Sequence, residues 1–119
     1  MSHKDAIRIV LVGTQHPGNI GSAARAMKTM GLANLVLVAP KRYPDPEATA
    51  LAAGAADILE QAQVVSSVQE ALAGCTYVIG TSSRERAVVL PELWPRQAAS
   101  ELVDKSTRSP VALLFGPER

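Results

Sequence analysis

Cysteine is almost absent from this sequence. The single thiol, Cys75, excludes an internal disulfide and any multi-cysteine metal site among the 119 residues. Two histidines, His3 and His16, are too few and too far apart for a zinc site, so no metal is expected. Aromatic residues amount to 3%, which argues against the platform of stacked rings that many single-strand binders use. An excess of one charge is also missing: 12 Lys+Arg face 11 Asp+Glu, for a net of +1. That balance excludes a polybasic arm but is compatible with a local basic patch. The longest apolar runs have only the length of a buried strand, and residues 1–5 lack the apolar core of a signal peptide. A soluble protein of the reducing cytoplasm, with no membrane partner, is expected.

What is present is a 47% hydrophobic chain, long enough to bury a core in one domain and too apolar for a disordered tail. Charged residues make up 19%, below the roughly 25% of an ordinary soluble domain. Such a surface suggests cover by a partner subunit. The run 7–12 (Ile-Arg-Ile-Val-Leu-Val) predicts a strand buried on both faces. Gly13 to Gly18 breaks it, and Asn19 is expected to cap a helix running to Met30 and ended by Gly31. Leu35 to Ala39 is a second strand. Asp45-Pro46-Glu47 starts a helix over the alanine-rich stretch to Ala56, interrupted by Gly54. Gln63 to Ser66 is a weak strand, and Ser67 to Glu70 is a capping box that opens a short helix closed by Gly74. Tyr77 to Gly80 is a fourth strand, followed by a polar turn from Thr81 to Arg86. A last helix is expected between Pro95 and Lys105, before a fifth strand from Val111 to Phe115. The alternation predicts an α/β fold, an open parallel sheet with helices on both faces, in a single domain.

In such a sheet ligands gather beyond the carboxyl ends of the strands. Three turns there carry suggestive residues: Gly13–Gly21, Thr81–Arg86 and Gly116–Arg119. The first enters a helix N-terminus, where anions are stabilised. It has neither the Lys-Ser/Thr pair of a P-loop nor Gly-x-Gly-x-x-Gly, so it is a weak nucleotide signal. The segment Asn19-Ile-Gly21-Ser-Ala-Ala-Arg25 is more specific. Its apolar face centres near Met27, Arg25 points away from that face, and Gly21, one turn before Arg25, leaves backbone open to a ligand or another chain. Taken alone, an exposed arginine is ordinary, and Thr81, Ser82 and Ser83 read equally well as turn and cap chemistry.

Asn19-x-Gly21-x-x-x-Arg25 resembles the first motif of the SpoU branch of the SPOUT RNA methyltransferases. Phe115-Gly-Pro-Glu118-Arg119 resembles the start of that family's second motif, and residues 7–12, 24–32, 50–55 and 80–82 extend the likeness along essentially the whole chain. The likeness is strongest to the bacterial tRNA ribose 2′-O-methyltransferases that act on cytidine or uridine at the first anticodon-loop nucleotide. It implies methyl transfer from S-adenosylmethionine in a homodimer with a C-terminal trefoil knot. It implies a catalytic Arg25 on the substrate side, and Thr81, Ser82, Ser83 and Gly116 on the cofactor side. The family's third motif, a Ser-Ser-Leu-Asn-like segment, is not met before Arg119, so residues 1–119 are expected to be the N-terminal part of the catalytic domain, with the knot absent from this chain and only part of the cofactor site present.

A guanidinium is effectively always protonated, so Arg25 is expected to bind a phosphate and stabilise the developing alkoxide rather than act as base. Asn19 is expected to shape its loop and touch RNA. Arg84 and Arg86, with Lys28, Lys41 and Arg42 as further candidates, are expected to hold tRNA phosphates. His16 reads as an ordinary loop histidine, Cys75 as a buried thiol and Trp94 as a core or interface anchor. Two other readings stay open: an RNA-binding or dimerisation module without turnover, and a dinucleotide-binding α/β domain taking NAD or flavin.

Overall fold

Strand-forming runs and caps decide the layout of the computed structural model, which describes residues 6–82 and 110–116. Five strands form one sheet: β1 (Ile7–Val12), β2 (Asn34–Val38), β3 (Gln63–Val65), β4 (Tyr77–Ser82) and β5 (Val111–Gly116). Four described α-helices accompany them: α1 (Pro17–Met30), α2 (Pro46–Ala52), α3 (Ala56–Gln61) and α4 (Val68–Ala71). A short 3-10 turn, Ala53–Ala55, joins α2 to α3 where the sequence predicted one helix interrupted by Gly54. The expected helix between Pro95 and Lys105 lies outside the described residues.

All strand pairings are parallel, in the order β3-β2-β1-β5-β4. The chain winds from β1 outward to β3, then forms the far edge as β4 before β5 inserts between β4 and β1. The alternation of side chains along each strand separates two cores. Ile7, Ile9 and Leu11 of β1, Leu35 and Leu37 of β2, and Val111, Leu113 and Phe115 of β5 pack on the face covered by α1, α2 and α3. Val10, Val36, Val38 and Ala112 point to the opposite face, where Ala71 of α4 covers them. Helices therefore occupy both faces, as the apolar runs predicted. Burying each large aliphatic side chain contributes about 1.5–3 kcal/mol relative to exposure, so the eight-member row on the first face is the main source of cohesion.

The caps follow the sequence signals closely. At the end of α1, Gly31 takes φ 77°. Its amide donates to the Lys28 carbonyl (3.2 Å) while the Leu32 amide donates to Met27 (2.8 Å), with Leu32 and Met27 both buried. This double closure needs a residue tolerant of the left-handed region. Asp45 accepts from the Glu47 amide at 2.9 Å ahead of Pro46. Ser67 accepts from the Glu70 amide at 3.2 Å, and the Glu70 carboxylate returns to the Ser66 amide (3.3 Å) and hydroxyl (2.7 Å). Those hydroxyl and amide donors hold the Glu70 carboxyl below its usual range.

Candidate functional site

The strand order changes direction at β1, so the carboxyl ends of β1, β5 and β4 form the crevice in which an open parallel sheet binds ligands. Thr81 and Ser82 are the last two residues of β4 rather than part of the turn predicted from the sequence, because the ladder with β5 continues through them. Thr81 pairs with Phe115 and Ser82 with Gly116, while Phe115 pairs on its other side with Leu11 of β1. Two candidate positions 34 residues apart in sequence, Ser82 and Gly116, thus meet in one backbone row, with Thr81 in the row before it. Ser83, Arg84, Arg86, Trp94, Glu118 and Arg119 lie outside the described residues.

The loop after β1 is fixed from below. Gly13 turns with φ 62°, a conformation other residues adopt at a cost, and its amide donates to the Val38 carbonyl at 2.8 Å. Asn19 does not cap the following helix. Pro17 takes the first helical position, which moves the N-cap to His16 and leaves Asn19, half-buried, as the third residue of α1. Its amide donates to the His16 carbonyl at 3.0 Å. The start of α1 is a poor phosphate site, because the Glu47 carboxylate of α2 already lies against Gly18: a Cβ there would come within 2.9 Å of its Oε2. A carboxylate beside those first amides repels a nucleotide phosphate and weighs against the dinucleotide reading.

Gly21 also departs from expectation. It is buried, not open. A Cβ on it would collide with the Ala48 carbonyl oxygen and stand 3.0 Å from the Ala52 nitrogen, so glycine is needed because the backbone of α2 lies directly on α1. Arg25, one turn further on, is exposed, with Ala23, Ala24 and Met27 buried opposite, as the helical pattern required. Eight residues separate Arg25 from the first residue of α1, about 12 Å of helix rise.

The basic candidates divide. Lys28 is tied to Asp57 of α3 at 2.8 Å, and the ammonium holds that carboxyl below its usual range. Arg42 lies 3.4 Å from Asp45, and Lys41 is exposed. The structure adds one residue the sequence reading passed over. Arg8, the single charge within the apolar β1 run, donates from Nη1 to the Ala71 and Ala73 carbonyls, both at 2.8 Å, and ties β1 to the end of α4. A charge inside a doubly buried strand was the available signal. Cys75 beside it is half-buried rather than fully buried, and desolvation pushes its thiol up, partly offset by Arg8. Among the described residues no group of three or more His, Cys, Asp or Glu is placed to hold a metal, and no helix is long and apolar enough to cross a membrane.

Comparison with known proteins gives the family. The model of the SpoU rRNA Methylase family matches residues 6–119. The tRNA (cytidine/uridine-2′-O-)-methyltransferase TrmJ of Sodalis glossinidius is 57% identical over 113 residues, covering 95% of this chain and 44% of that protein. Among solved structures, TrmJ from Z. mobilis superposes with TM-score 0.79 at 45% identity, covering 94% of this chain and 50% of that one. A probable methylase family protein from Haemophilus influenzae gives 0.78 at 46%, covering 96% and 46%. The chain spans about half the length of the curated relatives it matches. With that family model matching nearly its whole length, this chain belongs to the SpoU methylase family.

Proposed function

We propose that residues 1–119 are the N-terminal part of the catalytic domain of a cytoplasmic tRNA ribose 2′-O-methyltransferase. Its target is cytidine or uridine at the first anticodon-loop nucleotide. The observation that carries this reading is the row in which Ser82 of β4 pairs with Gly116 of β5 beside β1, at the point where the strand order reverses. The TrmJ name of relatives at 57% identity supplies the substrate class. The row suits S-adenosylmethionine: it brings backbone groups and a glycine to a strand-end crevice with no carboxylate among its described members. Thr81, Ser82, Ser83 and Gly116 would hold the cofactor, which when bound supplies an electrophilic methyl group.

Arg25 then serves the ribose side. Its guanidinium neutralises the neighbouring phosphate and the charge that develops on the 2′-oxygen, and a separate group takes the proton. Asn19, Arg84 and Arg86 orient the RNA. The family resemblance implies that the arginine facing a given cofactor comes from a second copy, in a homodimer.

The test is calorimetric titration of S-adenosylmethionine, with NAD as control, into this chain and into the chain joined after Arg119 to the remaining sequence of a TrmJ relative. Binding of S-adenosylmethionine by the joined protein is expected. Binding of NAD alone by both proteins would overturn the reading. In the joined protein, Arg25→Ala should lower methyl transfer to a tRNA transcript by about 10²-fold or more, with unchanged far-ultraviolet dichroism. Arg25→Lys should recover little of it if the phosphate contact is bidentate. Full turnover by Arg25→Ala would remove the role assigned to it.

A further inference from the structure

The carboxyl end of β2 carries chemistry that the candidate site at β4 and β5 does not use. The chain leaves β2 through Ala39, whose φ is 45° and whose amide donates to the Val65 carbonyl at 2.9 Å. It then presents Lys41 and Arg42 side by side, both exposed. The Lys41 amide donates to the Thr14 carbonyl at 3.0 Å, so the two cations are fastened to the loop after β1 on the same rim as the candidate site. His16 is exposed on that rim as well.

The acids nearby are already engaged. Asp45 caps α2 through the Glu47 amide, and the Glu47 carboxylate lies against Gly18. The Arg42–Asp45 contact is a single long one at 3.4 Å with the arginine side chain 62% exposed, a weak pairing that solvent screens. An incoming phosphate can replace it at little cost. Lys28 differs, since its 2.8 Å pair with Asp57 occupies it on the flank of α1 and α3.

We propose that the loop from Pro40 to Pro44 is a clamp for the RNA backbone, in which Lys41 and Arg42 each take a phosphate of the substrate strand. This rests on the reading that the substrate is tRNA. Phosphate contacts from two adjacent cations fix register and orientation rather than sequence, so the clamp works on any tRNA that reaches the site. β2 is three strand spacings from β4, about 14 Å, so the clamp grips the strand away from the reacting ribose.

The test is the salt dependence of binding of an unmodified tRNA transcript between about 50 and 200 mM salt. It compares this chain with its Lys41→Gln/Arg42→Gln variant. Removing two phosphate contacts should lower the slope of log K against log salt by about 1.4–1.8 and weaken binding roughly tenfold near physiological salt. Arg42→Lys alone should keep nearly the full slope, because the charge remains. S-adenosylmethionine affinity of the protein joined to a relative's C-terminal sequence should not move. An unchanged slope in the double variant overturns the clamp and leaves the methyltransferase reading intact. A lost slope, together with no binding of S-adenosylmethionine by the joined protein, supports the clamp and overturns that reading. Absence of salt-dependent tRNA binding by the unaltered chain overturns the clamp outright.

Discussion

Gly21 offers a sharp test of how this fold is held together. Its sequence context makes it part of a motif, yet its surroundings are those of a helix crossing. An added Cβ meets the carbonyl oxygen of Ala48 and, at 3.0 Å, the Ala48 carbon and the Ala52 nitrogen. All three are backbone atoms of α2, so no rotamer change relieves the contact and the whole helix must shift. Overpacking of this kind costs about 2–3 kcal/mol, and the better helix propensity of alanine returns about 1 kcal/mol. The net loss for Gly21→Ala is then about 1–2 kcal/mol. With an unfolding entropy near 2.1 cal/mol/K per residue, 119 residues give about 4 °C per kcal/mol, hence a drop in Tm of about 4–8 °C. Gly54→Ala is the internal control, since nothing stands within 4 Å of the added carbon and its φ is not in the left-handed region. It should be neutral or raise Tm slightly. Paired melts followed by circular dichroism read both. A Gly21→Ala protein that melts at or above the parent would refute the close crossing of α1 and α2.

Two further outcomes follow from the polar contacts. Arg8→Met keeps the stem but removes the donors to the Ala71 and Ala73 carbonyls; it should lower the free energy of unfolding by about 1.5–3 kcal/mol in urea, and an unchanged midpoint would show that the tie carries nothing. Lys28 depresses the Asp57 carboxyl, so that pair stabilises the fold above the ordinary carboxylate range and its contribution fades as pH falls through the lowered value. The Tm gap between the parent and Asp57→Asn should accordingly be present at pH 6, shrink towards pH 3 and narrow in high salt; a gap that widens on acidification would contradict the pairing.

Much of the scaffold was legible because its signals are local. The five apolar runs became the five strands, and Gly31, Asp45 and Ser67 close or open helices as their positions predicted. The candidate site was legible only in pieces. That Ser82 faces Gly116 depends on β5 inserting between β1 and β4, an order no apolar run encodes. Asn19 was misplaced because Pro17 fits the first helical position better than a capping asparagine two residues later draws the chain out of helix. Lys28 looked free because its partner Asp57 is 29 residues away on another helix. Each miss involves a contact between elements, where helix and strand periods are silent.

The flank of α1 that carries Gly18 and Gly21 is also the flank that carries Arg25, at the i, i+3 and i+7 positions of one helical stripe. At the first position the movable ends of Leu51 and Glu47 lie against Gly18, and at the second the Ala48 backbone of α2 lies so close to Gly21 that only glycine fits. At the third the stripe emerges into solvent with an arginine. Two of the motif's three fixed letters therefore do different work on one line: the glycine sets how α2 rests on α1, and the arginine uses the opening just beyond that crossing. Moving α2 outward, as Gly21→Ala requires, alters the ground on which Arg25 stands without touching its charge. In the methyl-transfer reading, such a variant of the protein joined to a relative's C-terminal sequence, at a temperature well below its Tm, should lose turnover while keeping its affinity for S-adenosylmethionine. Loss of both in parallel would instead mean that the crossing supports the whole sheet and has no separate bearing on the arginine.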